Sequence, residues 1–516
     1  MARLAFKPDS SFFRKIAVGA VGARAVSCDL ARHGHQMAEL ERGSTDTKLW
    51  KDVKRKRLRI PDLVCARCGV RVECRAKTNP ELSMSHSLSD AARAWDFGMV
   101  DTDLIAFPIC VAEEEAYWSS GKLGTEASYW HERNWVRWKT VGRINYFPVR
   151  SFRTTPYAKS TTKGVTEGAE TTVTWPAVFA NRPVVVEAVA ERQITTRAPD
   201  NGRRHSRRIP TGLRIFVSPG QVVETNEVIA ATVKPVAHKA LICSGILPDG
   251  HISRLLSSRE RTLRFTGIKL ARLRNDSTFH DGVQEITDDQ EEDVYVRLEG
   301  LSYLTAVCHA SPRSLFPVYL SSSDPQTQLE AVIALGEAST STAVELLSEL
   351  LDDPDRPYFL RSAAAWCLSR IGDTDACRRL IRAFADIDRA IREEALDGIV
   401  AIGGVAIPLL LAGLHQTDEE VAAGCAEALR QRGHLPDEAL AELCDGATTG
   451  ELSPWAVWVL GHLPRDQVAP AIASLQNSAP QLHYAIALLW SFVESWIARR
   501  WELRPGPVFP NGEAAQ

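Results

Sequence analysis

Residues 60–77, IPDLVCARCGVRVECRAK, are the stretch of this 516-residue chain whose residue types and spacing say most about chemistry. Two short strands joined by a Cys-x-x-Cys-Gly turn are expected here. Asp62 falls on one strand, and Glu73, Arg75 and Lys77 fall on the other. Side chains alternate faces along a strand. If Cys65 pairs with Cys68 across a two-residue turn, Asp62 lies opposite Arg71. If the turn is wider and Cys65 pairs with Val70, Asp62 lies opposite Glu73. In both registers Asp62, Glu73, Arg75 and Lys77 share one face, together with Ile60 and Val64. Leu63, Val70, Val72, Cys74 and Ala76 share the other, which is apolar enough to pack on a core. A slip of one residue would separate the two acids.

Two carboxylates held close together repel unless a cation lies between them. A hard divalent ion such as Mg²⁺ (or Mn²⁺) suits all-oxygen ligands. Such an ion activates a water and stabilises a leaving oxygen, and a nearby Lys or Arg stabilises charge developing on phosphate. With Pro61-Asp62 followed by Glu73-x-Arg75, the stretch resembles the PD-(D/E)XK nuclease superfamily over about residues 10–115. The resemblance implies a restriction-endonuclease-like mixed sheet flanked by helices, Mg²⁺ dependence and hydrolysis of nucleic acid, DNA foremost. Asp62 and Glu73 would hold Mg²⁺. A further acid, Glu39 or Glu41, is expected on a preceding helix. The chain departs from the pattern at Arg75, where the family has Lys. Arg does not exchange protons, so Lys77 is the alternative. The competing reading is a hairpin with a solvated, charged face.

Cys65-x-x-Cys68-Gly69 is half of a zinc knuckle, which needs two further ligands to close a tetrahedron. The chain has no second Cys-x-x-Cys. Cys74, His86, Cys28, Cys110, His33 and His35 are open as partners, with His86 the leading choice for Zn²⁺. A pair of reduced structural thiols is the alternative.

The formal net charge of −3 excludes nothing, but its distribution is uneven. Residues 48–59, KLWKDVKRKRLR, set Lys48, Lys51, Lys54, Arg55, Lys56, Arg57 and Arg59 against Asp52 alone. That run leads into Asp62 and could draw a phosphate backbone towards it. It could equally be a solvated strand edge kept from pairing by its cations. A second cluster, Arg203, Arg204, His205, Arg207 and Arg208, is expected in a loop. The opening MARLAFKPDSSFFRK lacks the apolar core of a secretory leader. Together with eleven cysteines, an odd number, this leads to an expected reduced, cytoplasmic location.

Around these residues the chain reads as several domains. An α/β domain with the Cys-x-x-Cys hairpin is expected over 1–150. It begins with a helix at 10–32 ended by Gly34, and a buried strand at 103–111 joins the same sheet. The aromatic stretch 114–140 would form a cover. Residues 154–172, rich in Thr, Gly and Ser, read as a linker. A small β domain is expected over 173–300, where 213–236 resembles a barrel-sandwich hybrid module without the carrier lysine. Residues 282–293 are acidic and expected to be exposed.

From about 311 the pattern is a helical repeat. Apolar helices are expected to end at Gly336, Gly372, Gly403, Gly433 and Gly461. Asp324-Pro325 and Asp353-Pro354 read as helix starts. The block resembles HEAT repeats of the short kind named for phycobiliprotein lyases. It implies an α-solenoid over 311–501 that docks a protein, followed by a disordered tail at 502–516. Acids at Asp352, Asp353, Asp355, Asp386, Asp388, Glu393, Glu394, Asp418, Glu419 and Glu420 favour a protein partner over DNA.

Two functions follow. One is a metal-dependent nuclease, or a nucleic-acid binder derived from one, with a HEAT docking platform, which by analogy suits bacterial restriction or antiviral defence. The other is a non-catalytic scaffold with a zinc-stapled binding module. A lyase-like enzyme is suggested by the repeat type alone.

Overall fold

The computed structural model describes residues 10–46, 58–87, 90–112, 138–161, 170–449 and 452–502. The chain divides into two compact units, 1–296 and 297–516. Lys51, Lys54, Arg55, Lys56 and Arg57 of the basic run, most of the aromatic stretch and the C-terminal tail lie outside the described residues.

In the N-terminal unit, α1 (Ser10–Arg32) precedes a five-stranded sheet. Gly34, at φ 83°, ends the helix in the left-handed region that glycine adopts without strain. The strands are β1 (Met37–Glu39), β2 (Leu63–Cys65), β3 (Arg71–Cys74), β4 (Leu104–Phe107) and β5 (Asn145–Pro148), in that spatial order. All neighbours are antiparallel except β3 and β4. The wider hairpin register is the one formed. Leu63 faces Val72, and the Cys65 N–H donates to the Val70 carbonyl at 2.9 Å.

That register sorts the faces. Leu63, Val72, Cys74, Ala106 and Tyr146 pack with Val26 and Leu30 of α1. The Tyr146 hydroxyl donates to Asp29 of α1 at 2.8 Å. On the opposite face Ile105, Phe107 and Phe147 meet Trp95, Phe152 and Trp175 in a buried aromatic cluster. Trp175 belongs to the strand Glu170–Trp175, which pairs with Leu82–Ser87 on one side and Ala158–Thr161 on the other. The boundary expected at 150–173 is therefore bridged by a sheet, because a strand with unpaired backbone groups along its edge gains by pairing there.

Residues 177–231 form two small sheets around Val178, Val186, Ile194, Val223 and Ala230. Of the basic cluster, Arg204, His205, Arg207 and Arg208 lie on an exposed strand and not in a loop, with Arg203 in the turn before it. After 238 the middle segment is helical, including Arg261–Leu273 and His280–Asp288, so it is β-rich only in its first part.

The C-terminal unit is a stack of paired helices. These are α2 (Pro325–Ala338), α3 (Ser341–Asp352), α4 (Tyr358–Ile371), α5 (Thr374–Arg382), α6 (Arg389–Ile402), α7 (Ile407–Gly413), α8 (Glu419–Arg432), α9 (Asp437–Thr449), α10 (Ser453–His462), α11 (Arg465–Ala471) and α12 (Pro480–Glu502). The even-numbered helices pack in series as one layer, and α3, α5, α7, α9 and α11 form the second. Side chains of Asp324, Thr340, Asp373, Asp388 and Asp418 accept N–H bonds at the starts of α2, α3, α5, α6 and α8. Asp353-Pro354 lies in the turn before α4, which starts at Tyr358 instead.

The recurring glycines serve two purposes. Gly372, Gly403 and Gly433 end helices at φ 63°, 90° and 74°. Gly336 and Gly461 lie inside helices, where a Cβ would stand 2.6 Å from Cys367 and 2.4 Å from Leu489. They let neighbouring helices of one layer touch. Gly336→Ala should therefore cost about 1–3 kcal/mol by overpacking. Gly404→Ala, which meets nothing within 4 Å, should change stability by less than about 1 kcal/mol. Thermal unfolding followed by circular dichroism distinguishes the two variants.

Candidate functional site

β3 sends Glu73, and the residues just after it send Arg75, to the face of the sheet that bears the aromatic cluster. There they line a cavity of about 240 Å³ with Arg59, His86, Arg93 and Trp95. Glu73 is buried and pairs with Arg75 at 3.0 Å. Burial lowers the Arg59 pKa, and the like charges of Arg75 and Arg93 lower it further. The cavity is thus a crowded cationic pocket with one acid in it.

Asp62 stands just before the Leu63–Val72 pair, where the ladder ends, and does not line this cavity. Its Oδ2 accepts the Cys74 N–H at 2.7 Å, while its carbonyl accepts the N–H groups of Leu40 and Glu41. It closes the end of the ladder where regular pairing stops. Lys77 also stays outside the cavity. Its Nζ donates to Ser83 at 2.8 Å and lies 3.6 Å from Glu81, and burial lowers its pKa. Glu39 is on β1, not on a helix. Its carboxylate accepts from the N–H groups of Gly43 and Thr45 and from the Thr45 hydroxyl, holding a turn together. Glu41 follows β1 in the same segment. The acids proposed to share Mg²⁺ therefore each have protein partners.

Arg71, which the sequence reading gave no role, forms a buried charge pair here. It is buried and grips Asp103 through Nε at 2.9 Å and Nη2 at 2.5 Å. Asp103 also accepts the Val100 N–H, and Arg71 donates to Thr266 of the helix Arg261–Leu273. An acid just ahead of an apolar strand was the only hint of this pairing in the sequence.

The Cys-x-x-Cys turn lies at the other end of the hairpin. His86 is not beside it; its ring Nδ1 accepts the Trp95 N–H at 3.3 Å. His35, Cys65, Cys68 and Cys243 bring one donor atom each to within 4.8 Å of one another. His35 was among the partners left open, and Cys243 was not considered. The hydrogen bond from Cys68 and that with His35 draw the Cys65 thiol down to about 3 against its burial, while Cys68 is pushed up. Cys74, Cys110 and Cys28 stand apart from this group, and His33 faces His238 across 2.9 Å.

Residues 312–400 match the family model for HEAT repeats. The C-terminal part of the chain carries HEAT repeats. No curated protein matches the chain. Solved structures resemble it weakly. Human deoxyhypusine hydroxylase is 18% identical at a TM-score of 0.19, over 43% of this chain and 85% of that one. A phycocyanin lyase complex from a Nostoc species is 19% identical at 0.22, over 42% and 93%. A designed armadillo repeat protein in complex with a (KR)4 peptide is 15% identical at 0.19, over 47% and 97%. No described helix is by itself long and apolar enough to cross a membrane.

The Arg71–Asp103 clamp gives a direct test of which charges hold this unit together. Asp103→Ala leaves a buried guanidinium unpaired and should cost about 3–5 kcal/mol. Arg143→Ala removes an exposed pair with Glu224 at 3.2 Å and should cost no more than about 1 kcal/mol. Urea unfolding curves of the two variants should differ accordingly.

Proposed function

We propose that this chain is a docking protein that holds another protein along its HEAT repeats, with a non-catalytic N-terminal module. The observation that supports this most is the HEAT match at 312–400 within a regular two-layer stack. Repeats of this kind bury their faces against each other and leave long, periodic edges for a partner.

The turns leading into α4, α6 and α8 form one such edge. Tyr358 and Ile387 are exposed there at 44% and 91%. Asp352, Asp355, Glu419 and Glu420 are exposed at the same turns. Asp388 and Asp418 are occupied as helix caps, and Asp386 pairs with the buried Arg361. An edge of apolar and acidic groups suits a protein surface with basic and apolar groups, and it repels a phosphate backbone. On the N-terminal side, the engaged state of Asp62 and Glu73 favours the non-catalytic reading.

A photo-crosslinking residue at Ile387 in the full chain should give a discrete protein adduct, and one at Val405, between α6 and α7, should not. In parallel, plasmid and single-stranded DNA should remain intact with Mg²⁺. Cleavage that needs Mg²⁺ and disappears in Glu73→Ala, with no adduct at Ile387, would replace docking by a nuclease reading.

The cavity beside β3 favours a second reading for the N-terminal unit, as a nucleic-acid binder. Arg59, Arg75 and Arg93 offer cations for phosphate, and the exposed Phe97 lines the same space as a stacking surface. Single-stranded DNA should then bind with a marked salt dependence. Removing two phosphate contacts in Arg59→Ala/Arg93→Ala should lower the slope of log affinity against log salt by about 1.4. A slope equal to the wild type's would remove these arginines from the interface.

A further inference from the structure

We propose that His35, Cys65, Cys68 and Cys243 bind one structural Zn²⁺, which ties together three distant segments of the N-terminal unit. This stands independently of whether the repeats dock a partner.

The distances suit a tetrahedron. With Zn–S near 2.3 Å and Zn–N near 2.0–2.1 Å, its edges are about 3.8 Å between sulfurs and about 3.6 Å between sulfur and nitrogen. The Cys65 and Cys243 sulfurs are 3.9 Å apart, and Cys68 Sγ lies 3.5 Å from His35 Nδ1. The sulfurs of Cys65 and Cys243 are well beyond the roughly 2.05 Å of a disulfide. Three thiolates with one imidazole form a soft tetrahedral set that selects zinc over the hard cations.

The surroundings orient each donor. His35 Nε2 lies 2.9 Å from the Leu241 carbonyl, which can only accept. Nε2 therefore carries the proton, and Nδ1 is left with its lone pair directed at the sulfurs. A histidine ligand held by a backbone carbonyl through its other nitrogen is the usual outer support of a metal site. The Gly245 N–H donates to Cys243 Sγ at 3.3 Å, with Gly245 at φ 72°. The Cys243 N–H donates to the His33 carbonyl, and the Ala66 N–H donates to that of Gln36. Each ligand segment is thus fixed by the backbone of another.

Binding requires all three cysteines as thiolates and releases the protons that any of them still holds. The occupied site carries a net charge of −1. Arg67, which donates to the Gly34 carbonyl at 3.2 Å, and Arg274, which donates to the Ala66 carbonyl at 3.1 Å, place cations around it. The ligands span 33 residues from His35 to Cys68 and 178 from Cys65 to Cys243. An ion here therefore stabilises long-range closure that the local sequence does not enforce.

The test uses the full chain. Elemental analysis should find about one equivalent of zinc per chain, as a closed four-ligand site requires. Exchange for Co²⁺ should give tetrahedral d–d absorption and a thiolate charge-transfer band with the intensity of three sulfurs. Cys243→Ser and His35→Ala should weaken zinc binding by more than about 100-fold, beyond the loss typical of an outer-shell change. His86→Ala and Cys74→Ala should retain it. The wild-type cobalt spectrum counts the thiolates even if a ligand variant fails to fold. Folded wild-type protein with no bound zinc and no cobalt charge-transfer band would overturn the proposal. So would retention in Cys243→Ser with loss in His86→Ala.

Discussion

The pairing of β2 with β3 sets everything else in the N-terminal unit. Because the Cys65 N–H bonds to the Val70 carbonyl, Leu63 meets Val72 and the hairpin takes its wide turn. A slip of one residue would turn Glu73 and Arg75 onto α1 and push Val72 into the cationic cavity. The same register carries Cys65 and Cys68 to the end of the hairpin, beside the residues that follow α1. The turn is held from outside as well. Gly69, at φ 76°, packs so tightly that a Cβ there would stand 2.8 Å from Leu247 and 3.0 Å from His251.

Charge in this unit is used mainly for construction. Arg71 and Asp103 satisfy each other in the interior, where an unpaired ion would be costly. Asp62 supplies an acceptor at the point where the ladder runs out, and Glu39 holds a turn. Acids at strand ends are well suited to this work, since a carboxylate accepts several N–H bonds that the backbone leaves open. Spacing alone does not separate such acids from metal ligands, because both roles put carboxylates near the ends of neighbouring strands.

The repeat unit follows a simpler rule. Each helix pair hides its apolar face against the next, so small residues are needed where helices of one layer cross. Gly336, Gly398 and Gly461 are such points. Caps at Asp324, Asp373, Asp388 and Asp418 fix where helices begin. Asp386 reaches Arg361 of α4 and joins successive repeats through a largely buried ion pair. Several acids that looked like a docking surface are therefore internal fastenings.

The sequence by itself determined the elements whose causes are local. Helix α1 and its end at Gly34, the two faces of the hairpin and the presence of HEAT repeats were all legible from periodicity, glycine and capping residues. Tertiary structure alone decided how distant segments meet. It chose between the two hairpin registers, paired Glu170–Trp175 with Leu82–Ser87, and buried Arg71 on Asp103. It also brought Cys243 to Cys65 across 178 residues, leaving His86 elsewhere. Local spacing encodes backbone geometry, whereas a cluster of donors depends on long-range packing that no short motif records.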